Sequence, residues 1–220
     1  MHLNFHTHIL SNHDEVIDFY SIDLKKGPAE FLKGKYQCLG IHPWDLTEEY
    51  LEKLSSFEYI MLEADVLCLG EMGIDRTSKD ISIELQKKVF LFQLNVAAKR
   101  GDSFVIIHCV KAYNEIIECY KKSKFKGKLV FHDYNGDENT TKDLIKRGCY
   151  FSYGNMLFFP NSKGYRSLNS IPIERLFLET DDHRRFSIFD AYEKLASIKK
   201  LEEGELITQI LANFDRLKST

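Results

Sequence analysis

Residues 83–108 read IELQKKVFLFQLNVAAKRGDSFVIIH. Leu85, Val89, Phe92 and Val96 recur at the spacing of one helical face, and Gly101 supplies a stop. A short apolar run, Phe104–Ile107, follows and ends on His108, which is the pattern of a buried strand entered from a helix. The alternation continues in both directions. Further strands are expected at Leu3–Phe5, Val16–Ile22, Tyr36–Leu39, Val66–Leu69, Lys128–Phe131, Cys149–Ser152 and Arg175–Leu178. Helices are expected at Glu48–Leu54, Ala112–Lys122, Thr140–Lys146, Phe189–Lys199 and Glu205–Asn213. Short strands separated by amphipathic helices make an α/β fold with a parallel sheet, here eight strands of a TIM-type (β/α) barrel. Only Thr7–Glu15 separate the first two strands, too few for a full helix, so one helix of the outer ring is expected to be missing there.

The 220 residues, 44% of them apolar, suffice for one sizeable core, and no linker or low-complexity stretch interrupts them. A single domain over residues 1–220 is the expectation. Thirty basic and thirty-three acidic side chains leave a net charge of −3, which argues against gripping long duplex DNA by charge alone. Five cysteines without CxxC spacing (Cys38, Cys68, Cys109, Cys119, Cys149) suggest reduced thiols in a cytoplasmic protein. No apolar run reaches membrane-spanning length and nothing marks the chain for export, so neither a membrane nor an obligate protein partner is expected.

The chemistry gathers at the strand ends. Strand one runs into His6-Thr7-His8, strand four into Glu71, strand five into His108, strand six into His132 and strand eight into Glu179-Thr180-Asp181. Parallel barrels place such positions on the rim that carries the active site. A lone histidine at a strand end is more often a structural hydrogen-bonding residue. Four histidines, a glutamate and an aspartate at five strand ends point instead to a divalent cation with nitrogen and oxygen ligands. His6 and His8, two apart on an extended segment, face the same side and are able to chelate one ion. His42 caps strand three without binding metal, while His2 and His13 are expected in solvent.

Phe5-His6-Thr7-His8, Gly40-Ile41-His42-Pro43, Gly70-Glu71-Met72-Gly73-Ile74-Asp75, Ile107-His108, Phe131-His132 and Glu179-Thr180-Asp181 stand in the order of one known family. On these motifs, with Gln86, Phe90, Gln93 and Ala97 before the fifth strand, the chain resembles TatD-type deoxyribonucleases over nearly its whole length. The resemblance implies two divalent ions (Mg, Mn or Zn). His6, His8 and Asp181 would hold the first, Glu71 would bridge, and His108 and His132 would hold the second. It implies hydrolysis of phosphodiester bonds at DNA ends, with Asp181 as general base for an activated water and Glu71 fixing the ions. A small phosphoester is the alternative substrate. The sequence departs from the family at Asn4, where Asp is usual, and at Val110, where a phosphate-binding Arg is usual. Asp133-Tyr134 replace Cys-Phe, and His183 replaces Pro. Lys111, Arg184 and Arg185 are candidates for the missing cation. Trp44, Tyr134 and Phe158-Phe159 are candidates for stacking on a base.

Two rival readings remain. The same ligands suit hydrolysis of an ester or amide, and a polymerase-and-histidinol-phosphatase-type phosphoesterase would need further mid-chain histidines that the sequence lacks. A non-catalytic binding or scaffold barrel is the reading from a different class, and the complete ligand set argues against it.

Overall fold

Among the residues described in this computed structural model, 1–26 and 36–219, the strand ladders recorded are parallel. The strands are β1 (His2–Thr7), β2 (Val16–Asp23), β3 (Tyr36–Gly40), β4 (Cys68–Leu69), β5 (Met72–Asp75), β6 (Phe104–Val110), β7 (Lys128–Phe131), β8 (Tyr150–Tyr153) and β9 (Leu176–Leu178). The helices are α1 (Tyr50–Glu63), α2 (Ile83–Arg100), α3 (Tyr113–Lys122), α4 (Glu138–Lys146), α5 (Lys163–Ser167), α6 (Ile188–Lys199) and α7 (Glu203–Lys218). No helix lies between β1 and β2, as their short connection requires. No helix among the described residues is long and apolar enough to cross a membrane. The chain divides into two compact units, one of Met1–Tyr20 with Val130–Thr220 and one of Ser21–Leu129.

In the first unit β1 pairs with β2, setting Leu3 opposite Ile17 and Asn4 opposite Asp18. β8 pairs with both β7 and β9. Phe5 anchors the core: its ring stacks on Phe177 at 4.0 Å between centroids and meets Phe19 and Phe214 edge-on. The Tyr192 hydroxyl of α6 accepts from the Leu3 amide and donates to the Leu3 carbonyl, tying that helix to β1. Ser187 and Asp190 form a reciprocal cap that starts α6, satisfying amides the helix leaves open.

In the second unit β3 pairs with β4 and β5 with β6. The strand expected at Val66–Leu69 ends at Leu69 as the sequence indicates but starts only at Cys68, and a further strand, β5, begins after Gly70-Glu71. Gly70 has φ +142°, a backbone state open to glycine, and a Cβ there would lie 2.8 Å from the Ile106 side chain. Glu71 therefore sits in a break between two strands, not beyond the end of one. Helix α1 runs on past its expected end at Leu54, because Ser55-Ser56 carry no breaker strong enough to stop it.

Helix α2 begins and ends where its sequence pattern predicts, with Ser82 capping the start and Gly101 the left-handed finish. Its two buried glutamines, seven residues or two turns apart, work as clamps. Gln86 accepts from the Asp75 amide at 2.7 Å and donates to the Asp75 carbonyl at 3.1 Å. Gln93 does the same for Ile41, at 2.8 and 3.1 Å. Both fix backbone beside the residues that carry the chemistry. Gln93→Leu keeps the volume but strips two buried backbone groups of their partners, so chemical denaturation should show a loss of roughly 2–5 kcal/mol.

Candidate metal centre

The first unit holds a cluster of His6, His8, His132 and Asp181. Strand β1 delivers His6 and His8, and the backbone joins them to Asp181. The Asp181 amide donates to the His6 carbonyl at 3.0 Å, and the His8 amide to the Asp181 carbonyl at 3.1 Å. Asp181 has φ +52°, which turns its side chain back toward the strand end. Its Oδ1 lies 3.7 Å from His6 Nε2 and 3.5 Å from His8 Nε2. These gaps exceed a hydrogen bond and match the separation of two ligands on one ion, since atoms each about 2.1 Å from a tetrahedral cation stand about 3.4 Å apart. His6, His132 and Asp181 each offer a ligand atom within 4.8 Å of the others. His132 packs its ring 4.4 Å from that of His6.

A buried carboxylate backs this cluster. Glu179 Oε1 lies 3.5 Å from His132 Nδ1 and accepts from the Asp133 amide at 2.7 Å. Burial opposes charge on Glu179, but His132 and His6 outweigh it and keep the carboxyl below its usual range. Burial, reinforced by the Glu179 charge, pushes the Asp133 carboxyl up to about 6. A carboxylate behind a ligating imidazole fixes its orientation and raises its basicity.

Asn4 explains one departure from the family. Its Nδ2 donates to Asp18 Oδ1 and to Thr180 Oγ1, both at 2.9 Å, while its Oδ1 accepts from the Thr180 amide at 2.9 Å. Asp18 also accepts from the Ser11 amide and hydroxyl. An aspartate at position 4 would offer Asp18 no donor. The amide reconciles the two neighbours and holds the residue next to Asp181.

The second unit holds His42, Glu71 and His108 in a tight triangle. His108 Nδ1 is 2.7 Å from Glu71 Oε1, and His42 Nε2 is 3.2 Å from both. The His42 Nδ1 accepts from the Trp44 amide at 3.2 Å, capping the short 3-10 turn Pro43–Asp45. A neutral imidazole that accepts through Nδ1 carries its proton on Nε2, which makes His42 a donor to Glu71. His42, Glu71 and His108 each offer a ligand atom within 4.8 Å of one another. Asp75 stands behind His108, with Oδ2 at 3.7 Å from Nε2. Burial opposes charge on Asp75 too; His108 and hydrogen bonds from Thr77 and Trp44 overcome it and hold the carboxyl well below its usual range. Gly73 is required beside this cluster, because any Cβ there would collide with the His108 carbonyl.

Imidazole nitrogen and carboxylate oxygen, with a carboxylate behind one histidine in each unit, form a donor set that fits divalent cations. Sequence reasoning missed Glu179 and Asp75 as site residues, although each shares a motif with a named ligand. Their offsets carried the signal: Glu179 is two residues from Asp181 and Asp75 four from Glu71. Two expectations, on Tyr134 and His2, need correction. Tyr134 is buried, with its hydroxyl on Thr141, so it offers no stacking face. His2 is largely covered, bonded to Glu203 at 3.0 Å and set against Phe189 and Tyr192.

The model of the family described as TatD related DNase matches residues 24–219. The chain belongs to that family. A metal-dependent hydrolase of Buchnera aphidicola, BU355, is 30% identical over 174 residues, covering 76% of this chain and 64% of the relative. A Mycoplasma genitalium metal-dependent hydrolase, MG009, is 26% identical, covering 90% of this chain and 82% of the relative. The chain spans about two thirds or less of the length of several curated relatives it matches. Among solved structures, the TatD homolog YjjV of Escherichia coli superposes with TM-score 0.78 at 20% identity, over 92% of this chain and 86% of that one. A TatD family hydrolase from Entamoeba histolytica gives 0.72 at 16% identity, over 91% and 83%. The fold is of the α/β, TIM-type class that the strand and helix pattern predicts.

Asn4→Asp should destabilise the protein by roughly 1–3 kcal/mol at pH 8, through lost donors and repulsion between the new carboxylate and Asp18. A proton on either carboxyl relieves that repulsion, so the folded variant binds protons more tightly than the unfolded chain and the deficit shrinks as pH falls. Urea melts at pH 8 and pH 5 measure the difference.

Proposed function

We propose that this chain is a divalent-cation-dependent hydrolase that cleaves phosphodiester bonds at DNA ends. The observation that carries the reading is the pair of imidazole–carboxylate clusters, found in a chain whose family is described as TatD related DNase. In this reading His6, His8, His132 and Asp181 would hold one cation and Glu71 with His108 would hold another. When bound, the ions polarise the phosphoryl oxygen and make a water molecule more acidic.

The protein's own groups supply the rest. Asp181 orients the attacking water and accepts its proton at a carboxylate oxygen. Glu179 and Asp75 keep the His132 and His108 rings aimed, and His42 steers Glu71 by donating from Nε2. The net charge of −3 favours strand ends or small anionic substrates over long duplex. The five cysteines carry free thiols, in keeping with a cytoplasmic enzyme.

Val110, in place of a phosphate-binding arginine, favours one second reading, hydrolysis of a small ester or phosphoester. Lys111, Arg184 and Arg185 are exposed and remain candidates for the missing charge. Assays on an end-labelled single strand, a chromogenic phosphodiester and a carboxylic ester separate these readings, and turnover of the ester alone would reject the nuclease.

Glu71→Ala and Asp181→Ala should each lower turnover at least 1000-fold, an order-of-magnitude expectation for losing a ligand or base. Full activity in either variant with manganese present would reject its role. Elemental analysis should find about two divalent ions per chain, reduced in Glu71→Ala. Because imidazole must be neutral to bind metal, both ion content and rate should fall together as the solution is acidified.

A further inference from the structure

Trp44 is the chain's only tryptophan, and its side chain stands 62% exposed beside the His42–Glu71–His108 triangle. Large apolar rings left in solvent are common, but this one is mounted rigidly. Its Nε1–H donates to Asp75 Oδ2 at 2.6 Å, a charge-assisted bond. Asp75 Oδ1 accepts in turn from the Thr77 amide and hydroxyl, at 2.7 and 2.6 Å, and Gln86 clamps the Asp75 backbone. The Trp44 amide meanwhile donates to His42 Nδ1. The His42 and His108 rings meet the indole at steep angles, with centroids 4.9 and 5.6 Å away. The indole is thus held at both its backbone and its ring nitrogen, and most of its surface is left to solvent.

We propose that Trp44 is a stacking platform for an unpaired nucleobase, placed so that the strand end bound there presents its phosphate to the Glu71–His108 pair. This rests on the phosphodiester reading above and specifies its substrate as a single-stranded end. An immobilised aromatic loses little entropy when a base settles on it, and stacking tolerates any base because each has a π face. The near-neutral charge balance leaves affinity to be made up by such contacts. A base inside a duplex has both faces covered, whereas a strand end offers one. Asp75 serves two neighbours at once, the platform and the ring of His108, so a seated base and an aligned ligand share one support.

The single tryptophan makes the test direct, because all indole emission comes from Trp44. The purified protein is titrated with a phosphorothioate oligothymidylate, an abasic oligomer of equal length and a blunt duplex. The expected result is saturable quenching by the single strand, with the other two binding at least about tenfold more weakly. By anisotropy of a labelled strand, Trp44→Leu should weaken binding about 5- to 100-fold and Trp44→Phe, which keeps a ring, no more than about threefold. Circular dichroism confirms that both variants fold. Equal binding of single strand and abasic oligomer with unmoved emission overturns the platform and leaves the nuclease reading standing. No binding and no cleavage of any oligomer overturns both.

Discussion

Two backbone hydrogen bonds join the end of β1 to Asp181, and the first cluster depends on them. The Asp181 amide reaches the His6 carbonyl and the His8 amide reaches the Asp181 carbonyl. With the main chains locked in that register, three side chains arrive on one side without further adjustment. Asn4 adds a second lock one step earlier, binding both Thr180 backbone and hydroxyl. A ligand set drawn from residues 6 to 181 is thereby held by main-chain pairing, whose geometry varies far less than that of side chains.

The second cluster is organised from behind. Gln86 and Gln93, presented on one face of α2, each occupy a backbone donor and acceptor that would otherwise be buried without partners. The segments they hold carry Asp75 and the approach to His42. From there a chain of single hydrogen bonds sets the tautomer of His42 and the direction of Glu71. Buried polar groups of this kind cost stability if any one fails, so the site is specified by satisfaction of donors and acceptors more than by packing.

Much of this was legible in the sequence. The helical period before Gly101 located α2 to the residue, and the apolar runs located most strands, because buried parallel strands need continuous hydrophobicity. The metal-competent side chains stood out for the same reason, being polar at the ends of apolar runs. The strand at Met72–Asp75 did not show, since Gly70 and Gly73 interrupt the apolar run beyond Leu69. Nor did the supporting roles of Glu179, Asp75 and Asn4, which arise from neighbours distant in sequence: Asn4 meets Thr180 and Glu179 meets the amide of Asp133. Tyr134 was misjudged because a polar hydroxyl gives no hint that Thr141 waits inside to receive it.

The positive φ of Asp181 narrows what evolution is able to place there. Left-handed backbone is tolerated by glycine and, among residues with side chains, best by asparagine and aspartate, whose short polar groups bond locally. Glycine brings no donor atom and asparagine no charge. Glutamate, chemically the nearest substitute, is disfavoured by the main chain before its longer arm is even considered. The length of the carboxylate is therefore chosen by a torsion angle.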